Sequence, residues 1–363
     1  MSENKFTPKF KVWLEVDGKR VIGDQEAQIL EGIQKLGSFI ATAKAIGISY
    51  SHAWNTIDNI SKTIGAPMVE ARKGGKYGGG AKLTEAGLNI LKKYQELEKQ
   101  ADNIVTPTAS PERQEIFATS QLPDFIVIGS DCVGIDLLVN MMEKKKAFNY
   151  EIVKVGSSGG LAAIMLGEAD VAGIHLYDEE SGQYNTPFLK RYWISDKAVI
   201  IRGYLRDQGL VVAGGNPKKV RGISDLIRQD IRMVNRSLGS GTRTLLDMYL
   251  RKEMEKRGFK FREVASKVKG YSVEMKSHSE IAEAVLGGEA DVGLGIKAVA
   301  VNYKLDFIPI AQENFDFAVE ETRLKKPLVK QFFEELESSE FSEKVKGLGL
   351  HTTRDTGKII YRP

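Results

Sequence analysis

The sequence predicts an α/β chain in two parts: a small helical module with a β-hairpin, then a larger block of two facing α/β lobes. Three observations predict it. First, a five-residue motif occurs twice, as Gly167-Glu168-Ala169-Asp170-Val171 and as Gly288-Glu289-Ala290-Asp291-Val292. Each copy follows an amphipathic helical pattern opened by a serine-bearing turn, Gly156-Ser157-Ser158-Gly159-Gly160 in one and Ser277-His278-Ser279-Glu280 in the other. Each precedes a short apolar strand, Ala172-Gly173-Ile174 and Gly293-Leu294-Gly295-Ile296. Two such units, cousins rather than copies, make a clamshell suited to a small ligand. Second, the first hundred residues read helix, helix, turn, helix, hairpin. Third, positive charge is concentrated there.

Length and composition set the bounds. A chain of 363 residues exceeds one ordinary core, so two or three domains are expected. Hydrophobic content of 42% and charged content of 28% are those of a soluble globular protein. The net charge of +4 is small, but between Ser38 and Lys93 eight Lys/Arg stand against three acids, a local excess of +5. A single cysteine, Cys132, excludes an intramolecular disulfide framework and a Cys-based zinc site. The histidines His52, His175, His278 and His351 lie far apart without metal-ligand spacing. Residues 1–13 are polar and lack the apolar core of a signal peptide, and no run approaches ~18 apolar residues. A cytoplasmic location without a membrane partner is expected.

The first part spans residues 1–105. Alternation from Phe10 to Val16 predicts a strand turned by Asp17-Gly18. Asp24 reads as the N-cap of a helix carrying Ile29, Leu30, Ile33 and Leu36, stopped by Gly37. Ser38 caps a second helix, Phe39 to Ile46, and Gly47-Ile48-Ser49 turns into a third, Tyr50 to about Ile64. Met68–Arg72 and Ala81–Leu83 read as short strands around a glycine-rich tip, Gly74 to Gly80. Thr84 and Glu85 open a last helix whose stripe of Leu88, Leu91, Tyr94 and Leu97 is a candidate dimer surface. This order is a winged helix-turn-helix, an α+β module.

In such a module the helix after the turn enters the major groove, and side chains near its N-terminus reach base edges. Here those are Ser49, Tyr50, Ser51, His52, Asn55 and Thr56. Asn reads adenine bidentately, and Ser or His donates to bases or phosphates. Arg72, Lys73, Lys76 and Lys82 flank the wing and suit phosphate contacts. The glycine-rich tip lacks the Gly-Lys-Ser/Thr of a phosphate loop and joins two strands, which argues against nucleotide binding. The run Gly37 to Trp54 and its continuation Arg72-Lys73-Gly74-Gly75, then Gly78 to Gly87, resembles the N-terminal domain of ModE-type molybdate-responsive regulators and their LysR-like relatives. The resemblance implies double-stranded operator DNA as a partner and dimerisation through the helix from Thr84 to about Gln100.

Residues 106–122, rich in Pro, Ser and Thr, read as a linker. The second part, 123–363, is α/β throughout. Strands are expected at Asp124–Gly129, Tyr150–Val155 and Ile231–Asn235. Ala198–Arg202 and Leu210–Ala213 read as two separate strands between lobes, and Phe307–Ile310 returns the chain. Helices near Pro327–Leu336 and Ser342–Leu348 finish the first lobe.

Oxyanions bind at helix N-termini, where free N–H groups and the helix dipole favour negative charge. Hydroxyls add donors and arginine adds charge with fixed geometry. Three turns at strand ends fit: Gly129-Ser130, the turn carrying Ser157 and Ser158, and Asn235 to Arg243, with Arg236, Ser240, Gly241, Thr242 and Arg243. Any one of these serines is ordinarily a simple cap, but three turns with two arginines point to an anion site. Asp131 beside Ser130 is unfavourable there unless it points away or pairs with an Arg. His175, after the first motif's strand, is a cleft or core residue, and His278 neighbours a cap. Arg191, Lys197 and Arg202 read as hinge or surface charge.

Residues 123–360, including Tyr184 to Phe188 and Gln208 to Pro217, resemble the ModE-associated, type II periplasmic-binding-protein-like domain of molybdate and tungstate regulators. More distantly they resemble tungstate-binding proteins of the TupA type. There an Arg stands four residues before a Ser-Gly-Thr that binds the oxyanion, and Arg236 and Ser240-Gly241-Thr242 match that spacing. The expectation is a regulator rather than an enzyme, with no cofactor, with tungstate or molybdate as effector, assembled as a homodimer or homotetramer. A protein of molybdopterin metabolism and a regulator sensing another small anion remain the alternatives. The sequence shows no nucleophile elbow and no paired carboxylates for the first.

Overall fold

The structure, a computed structural model, describes residues 11–72, 80–105, 123–237 and 240–363. The chain divides into two compact units, one built on residues 1–123 and the other on most of 124–363.

In the first unit β1 (Leu14–Val16) and β2 (Lys19–Ile22) form a hairpin around Asp17-Gly18, both with positive φ. The strand is thus shorter than the alternation from Phe10 suggests. Helix α1 (Asp24–Leu36) is capped at Gly23, one residue before the expected Asp24. The Glu26 carboxylate accepts the Gly23 N–H at 2.8 Å, so the cap is supplied from inside the first turn. Helix α2 (Phe39–Ile46) begins at Ser38, whose Oγ accepts the Ala41 N–H, and ends at Gly47 in the left-handed region. Helix α3 (Tyr50–Ile64) begins at Ser49, whose Oγ accepts the His52 N–H. Strands β3 (Val69–Arg72) and β4 (Gly80–Leu83) pair antiparallel, and α4 (Glu85–Val105) follows. At Gly87 a Cβ would stand 2.2 Å from the Met68 carbonyl oxygen, so only glycine lets α4 lie this close to the hairpin. Leu91 and Tyr94 are buried while Leu88 is 43% exposed. The apolar stripe of α4 is therefore partly used within the chain.

The second unit opens with β5 (Phe125–Gly129), α5 (Val133–Lys145) and β6 (Tyr150–Lys154), the last parallel to β5. Helix α6 (Gly156–Leu166) and β7 (Ala172–Ile174) complete the frame of lobe one. Contrary to expectation α6 is not amphipathic. Ser157, the run from Gly159 to Ile164 and Leu166 are all buried, so burial is not confined to one face of the helix. Short strands β8 (Tyr177–Asp178) and β9 (Gln183–Tyr184) and helix α7 (Thr186–Arg191) lead to β10 (Ala198–Val212).

Lobe two contains β11 (Met233–Arg236), α8 (Gly241–Lys256), α9 (Val264–Lys267), β12 (Glu274–Met275), α10 (His278–Leu286), β13 (Val292–Ile296) and α11 (Lys297–Asn302). Strands β12 and β13 run parallel to β11. Then β14 (Asp306–Glu320) returns, followed by α12 (Pro327–Glu337), α13 (Ser339–Val345), β15 (Leu350–His351) and β16 (Ile359–Tyr361).

The two expected strands at 198–202 and 210–213 are one continuous 15-residue strand, β10, paired antiparallel with the equally long β14. One end of β14 pairs with β7 of lobe one, and one end of β10 pairs with β13 of lobe two. These strands are the crossing elements. Between them lies a face on which Tyr204, Arg206 and Gln208 alternate inward opposite Phe315, Glu313 and Ala311.

The repeated motif has the same structural role in both lobes. Gly167 and Gly288 are left-handed, with φ of 70 and 72°. Asp170 exchanges with the start of β5, accepting the Ile126 N–H at 3.0 Å and donating its own N–H to Ile126 at 2.8 Å. Asp291 does the same with Arg232, just before β11, at 2.7 Å in each direction. The motif reverses the chain after a helix and pins the neighbouring strand. Among the described residues no helix is long and apolar enough to cross a membrane.

Candidate functional site

Five of the expected oxyanion residues, Ser130, Ser157, His175, Gly241 and Thr242, come together with three that the sequence reading missed. His175, one residue past β7, is 5% exposed and organises lobe one. Its N–H donates to Ser157 Oγ at 3.0 Å. Its Nε2 lies 2.7 Å from Ser130 Oγ, and its Nδ1 lies 3.1 Å from Glu313 Oε2. The ring stacks on Phe315 with centroids 5.8 Å apart.

Glu313 and Arg206 face each other across the crossing strands as a buried ion pair, 3% and 0% exposed. Arg206 Nη1 also donates to the Asp131 carbonyl at 3.1 Å, and its guanidinium lies over Phe315. Gln208 Nε2 donates to Glu313 Oε1 at 2.8 Å and to Thr242 Oγ1 at 3.1 Å. A strand irregularity between Gln208 and Gly209 re-aims this stretch. Hydrogen bonds thus run from Ser130 of lobe one through His175, Glu313 and Gln208 to Thr242 of lobe two.

The lobes meet at the N-terminus of α8. Ser240 caps it, accepting the Arg243 N–H at 3.2 Å. At Gly241 a Cβ would lie 2.6 Å from the His175 ring. Glycine is required for this approach of lobe two to lobe one. Arg236 ends β11 and turns its guanidinium onto the carbonyls of Met275 and Lys276, 3.3 and 3.0 Å away. His278 at the start of α10 is 4% exposed, and its Nδ1 has no hydrogen-bond partner among the described residues.

Two expected residues are turned elsewhere. The Arg243 side chain is bound to Asp247 at 3.1 Å, to Glu274 and to the Arg236 carbonyl, and it lies over the Tyr271 ring. Ser158 is exposed on the first turn of α6. Asp131, the unfavourable carboxylate, is paired with Lys154 at 2.8 Å.

Burial and charge set the protonation states. Burial lowers the His175 pKa; Glu313 raises it, and Arg206 and Arg236 lower it further, so the ring is neutral near pH 7. Burial and the same two arginines hold His278 well below the usual histidine value. Burial alone would raise Glu313, but Arg206 and His175 outweigh it and bring its pKa down to about 2. Burial lowers Arg236 to about 10, with Arg206 adding to the effect, and it remains cationic at neutral pH.

On the first unit, His52 and Asn55 are exposed on α3 with Ser49 at its cap, and Ser51 and Thr56 are half-buried. Tyr50 does not share that face. It is 5% exposed and packs edge-on against Phe39, because the first α3 position in this register points inward. Lys82 is exposed and paired with Glu70 at 3.0 Å. Lys73, Lys76 and the Arg72 side chain lie outside the described residues, as do the wing tip and the 106–122 linker.

A family model described as a PBP superfamily domain matches residues 139–337, more than half of the chain. This chain belongs to the PBP superfamily. It is 33% identical over 270 residues to the uncharacterised protein YvgK of Bacillus subtilis, covering 74% of this chain and 84% of that one. It is 39% identical over 87 residues to the molybdenum-pterin-binding protein MopB of Rhodobacter capsulatus. It is 35% identical over 85 residues to the molybdenum transport protein ModE of Azotobacter vinelandii. Those two matches cover 24% and 23% of this chain and about a third, 32%, of each relative. Together the matches support a ModE-type regulator architecture that includes a PBP-like domain. Their named relatives are binding, transport or regulatory proteins rather than enzymes. Ser130, His175 and Glu313 stand in the order of a nucleophile, base and carboxylate, but here the carboxylate also carries Arg206 and Gln208 and the ring is wedged against α8. Among the described residues no group of His, Cys, Asp and Glu forms a metal site.

Proposed function

We propose that this PBP superfamily chain is a transcriptional regulator that reads operator DNA with its first unit and senses a tetrahedral oxyanion, tungstate or molybdate, between the lobes of its second. The observation that carries the sensor reading is the convergence of hydroxyl donors from both lobes beside buried guanidinium groups. Ser157 Oγ accepts from His175 N–H, Ser240 Oγ from Arg243 N–H and Thr242 Oγ1 from Gln208. Each of these hydroxyls accepts from the protein, which leaves its own O–H to donate. With the Gly241 and Thr242 backbone at the start of α8 and the cationic Arg236, they make a donor set without an opposing free carboxylate. Similarity to ModE and MopB, whose names refer to molybdenum, favours molybdate or tungstate over sulfate or phosphate.

The DNA reading rests on α3, whose capped N-terminus presents His52 and Asn55 to solvent beyond the α2–α3 turn. A homodimer or homotetramer in the cytoplasm is the working assembly, as palindromic operators demand two reading heads.

Thermal unfolding with tungstate, molybdate, sulfate and phosphate added separately tests the sensor. A ligand specific for the folded state stabilises by about 2.7 kcal/mol at a hundredfold excess over Kd. A large upward Tm shift with tungstate or molybdate at micromolar levels, absent with sulfate, is expected. No shift with any of the four rejects the oxyanion reading.

A further inference from the structure

Of the four cleft hydroxyls, Ser130 is committed differently. Its Oγ faces His175 Nε2 at 2.7 Å, while His175 Nδ1 faces the Glu313 carboxylate at 3.1 Å. An ionised carboxylate accepts only, so Nδ1 carries the hydrogen. In the neutral ring Nε2 is then the acceptor, and the Ser130 O–H must point at it. Ser157, Ser240 and Thr242 keep a free O–H; Ser130 does not.

We propose that oxyanion binding in this cleft takes up one proton at His175 Nε2, which turns the Ser130 hydroxyl from the imidazole to the anion. The inference rests on the oxyanion reading above. The proton comes from solvent. Neutral imidazole becomes imidazolium, Nε2–H now donates to Ser130 Oγ, and the released Ser130 O–H donates to the ligand. No other bond changes. His175 is thus a positioning residue, acting on the anion through Ser130.

Charge balance favours the same step. The groups around His175 are Glu313 on β14, Arg206 on β10, Arg236 on β11 and His278 on α10. Asp131, next to Ser130, is neutralised by Lys154. Arg206 cancels Glu313, and the neutral His278 adds nothing, so Arg236 alone opposes a dianion. An imidazolium at His175 supplies the second positive charge. Before the anion arrives, burial and the two arginines keep that proton off. The dianion reverses the balance by raising the His175 pKa. Affinity is then greatest at low pH and falls as pH rises, until the bound-state pKa of His175 is passed.

Calorimetric titration of the full chain with sodium tungstate, in two buffers of different ionisation enthalpy, measures the proton directly. Uptake approaching one proton per anion is expected. So is a Kd that weakens by up to about tenfold per pH unit as pH rises above the free-state pKa of His175. His175→Gln should flatten that profile, while Ser130→Ala and Ser240→Ala weaken binding without abolishing proton uptake. If His175→Gln does not fold, the wild-type buffer comparison carries the test. Tight tungstate binding with no proton uptake and a flat profile overturns the proton step alone. A slope that survives in His175→Gln overturns it too, because the proton then acts elsewhere. No tungstate binding by the wild type overturns the oxyanion reading and this inference together.

Discussion

Glu313 is the residue on which most of the buried polar structure converges. It accepts from Arg206, Gln208 and His175, and it sits on a crossing strand rather than in either lobe's ligand turns. Removing one partner of a buried pair leaves an uncompensated charge, at a cost of about 3–5 kcal/mol. Glu313→Gln should therefore lower unfolding stability by that order at neutral pH. Its folded-state pKa is depressed to about 2, so the carboxylate's contribution is present above the unfolded-state value and is lost as pH falls toward about 2. Urea unfolding of both proteins at about pH 7 and about pH 3 checks this. The gap between them should narrow in acid, and an equal gap at both values would mean that the carboxylate's charge does not stabilise the fold.

At the scale of elements, the α8 N-terminus and α3 carry the two functions. Gly241→Ala puts a methyl group 2.6 Å from the His175 ring, so the lobes cannot approach as they do here. Overpacking of this kind costs about 1–3 kcal/mol. Tungstate affinity should fall roughly tenfold to a hundredfold, while the circular dichroism spectrum stays that of the wild type. Unchanged affinity would remove the lobe contact from the binding step. On α3, Asn55→Ala should weaken operator binding by about 1–3 kcal/mol if Asn55 reads a base. Fluorescence anisotropy on specific and scrambled duplexes separates that from a phosphate contact, which would weaken both alike.

For the whole molecule the question is whether ligand and DNA communicate. An anion that changes DNA affinity must have its own affinity changed by DNA by the same factor. Operator titrations with and without saturating tungstate, and tungstate titrations with and without operator, should therefore give matching ratios. Identical operator affinity in the presence of tungstate shown to be bound would leave two independent binding units on one chain.

Local signals determined a great deal about this protein. Ser38, Ser49, Ser240 and Ser277 are N-caps, and each hydroxyl accepts from a backbone N–H three residues on, a pattern fixed by spacing alone. The repeated glycine–aspartate motif, the helix-turn-helix order and the serine turns at strand ends are local in the same sense, which is why the two-part α/β architecture was readable. What the sequence could not reveal was pairing. Residues 203–209 read as a gap between two strands because Arg206 and Gln208 interrupt an apolar run. Their polarity makes sense only once Glu313, more than a hundred residues away, lies opposite Arg206. The period of two in Tyr204, Arg206 and Gln208 was the available clue. Likewise Tyr50 and Arg243 stand at the expected positions, but packing turned one into the core and ion pairing turned the other away from the cleft. Caps, turns and periodicities depend on neighbours within a few residues and are written in the chain. Burying a charge depends on a partner brought close by folding, and only the tertiary structure decided where Arg206, Glu313 and His175 meet.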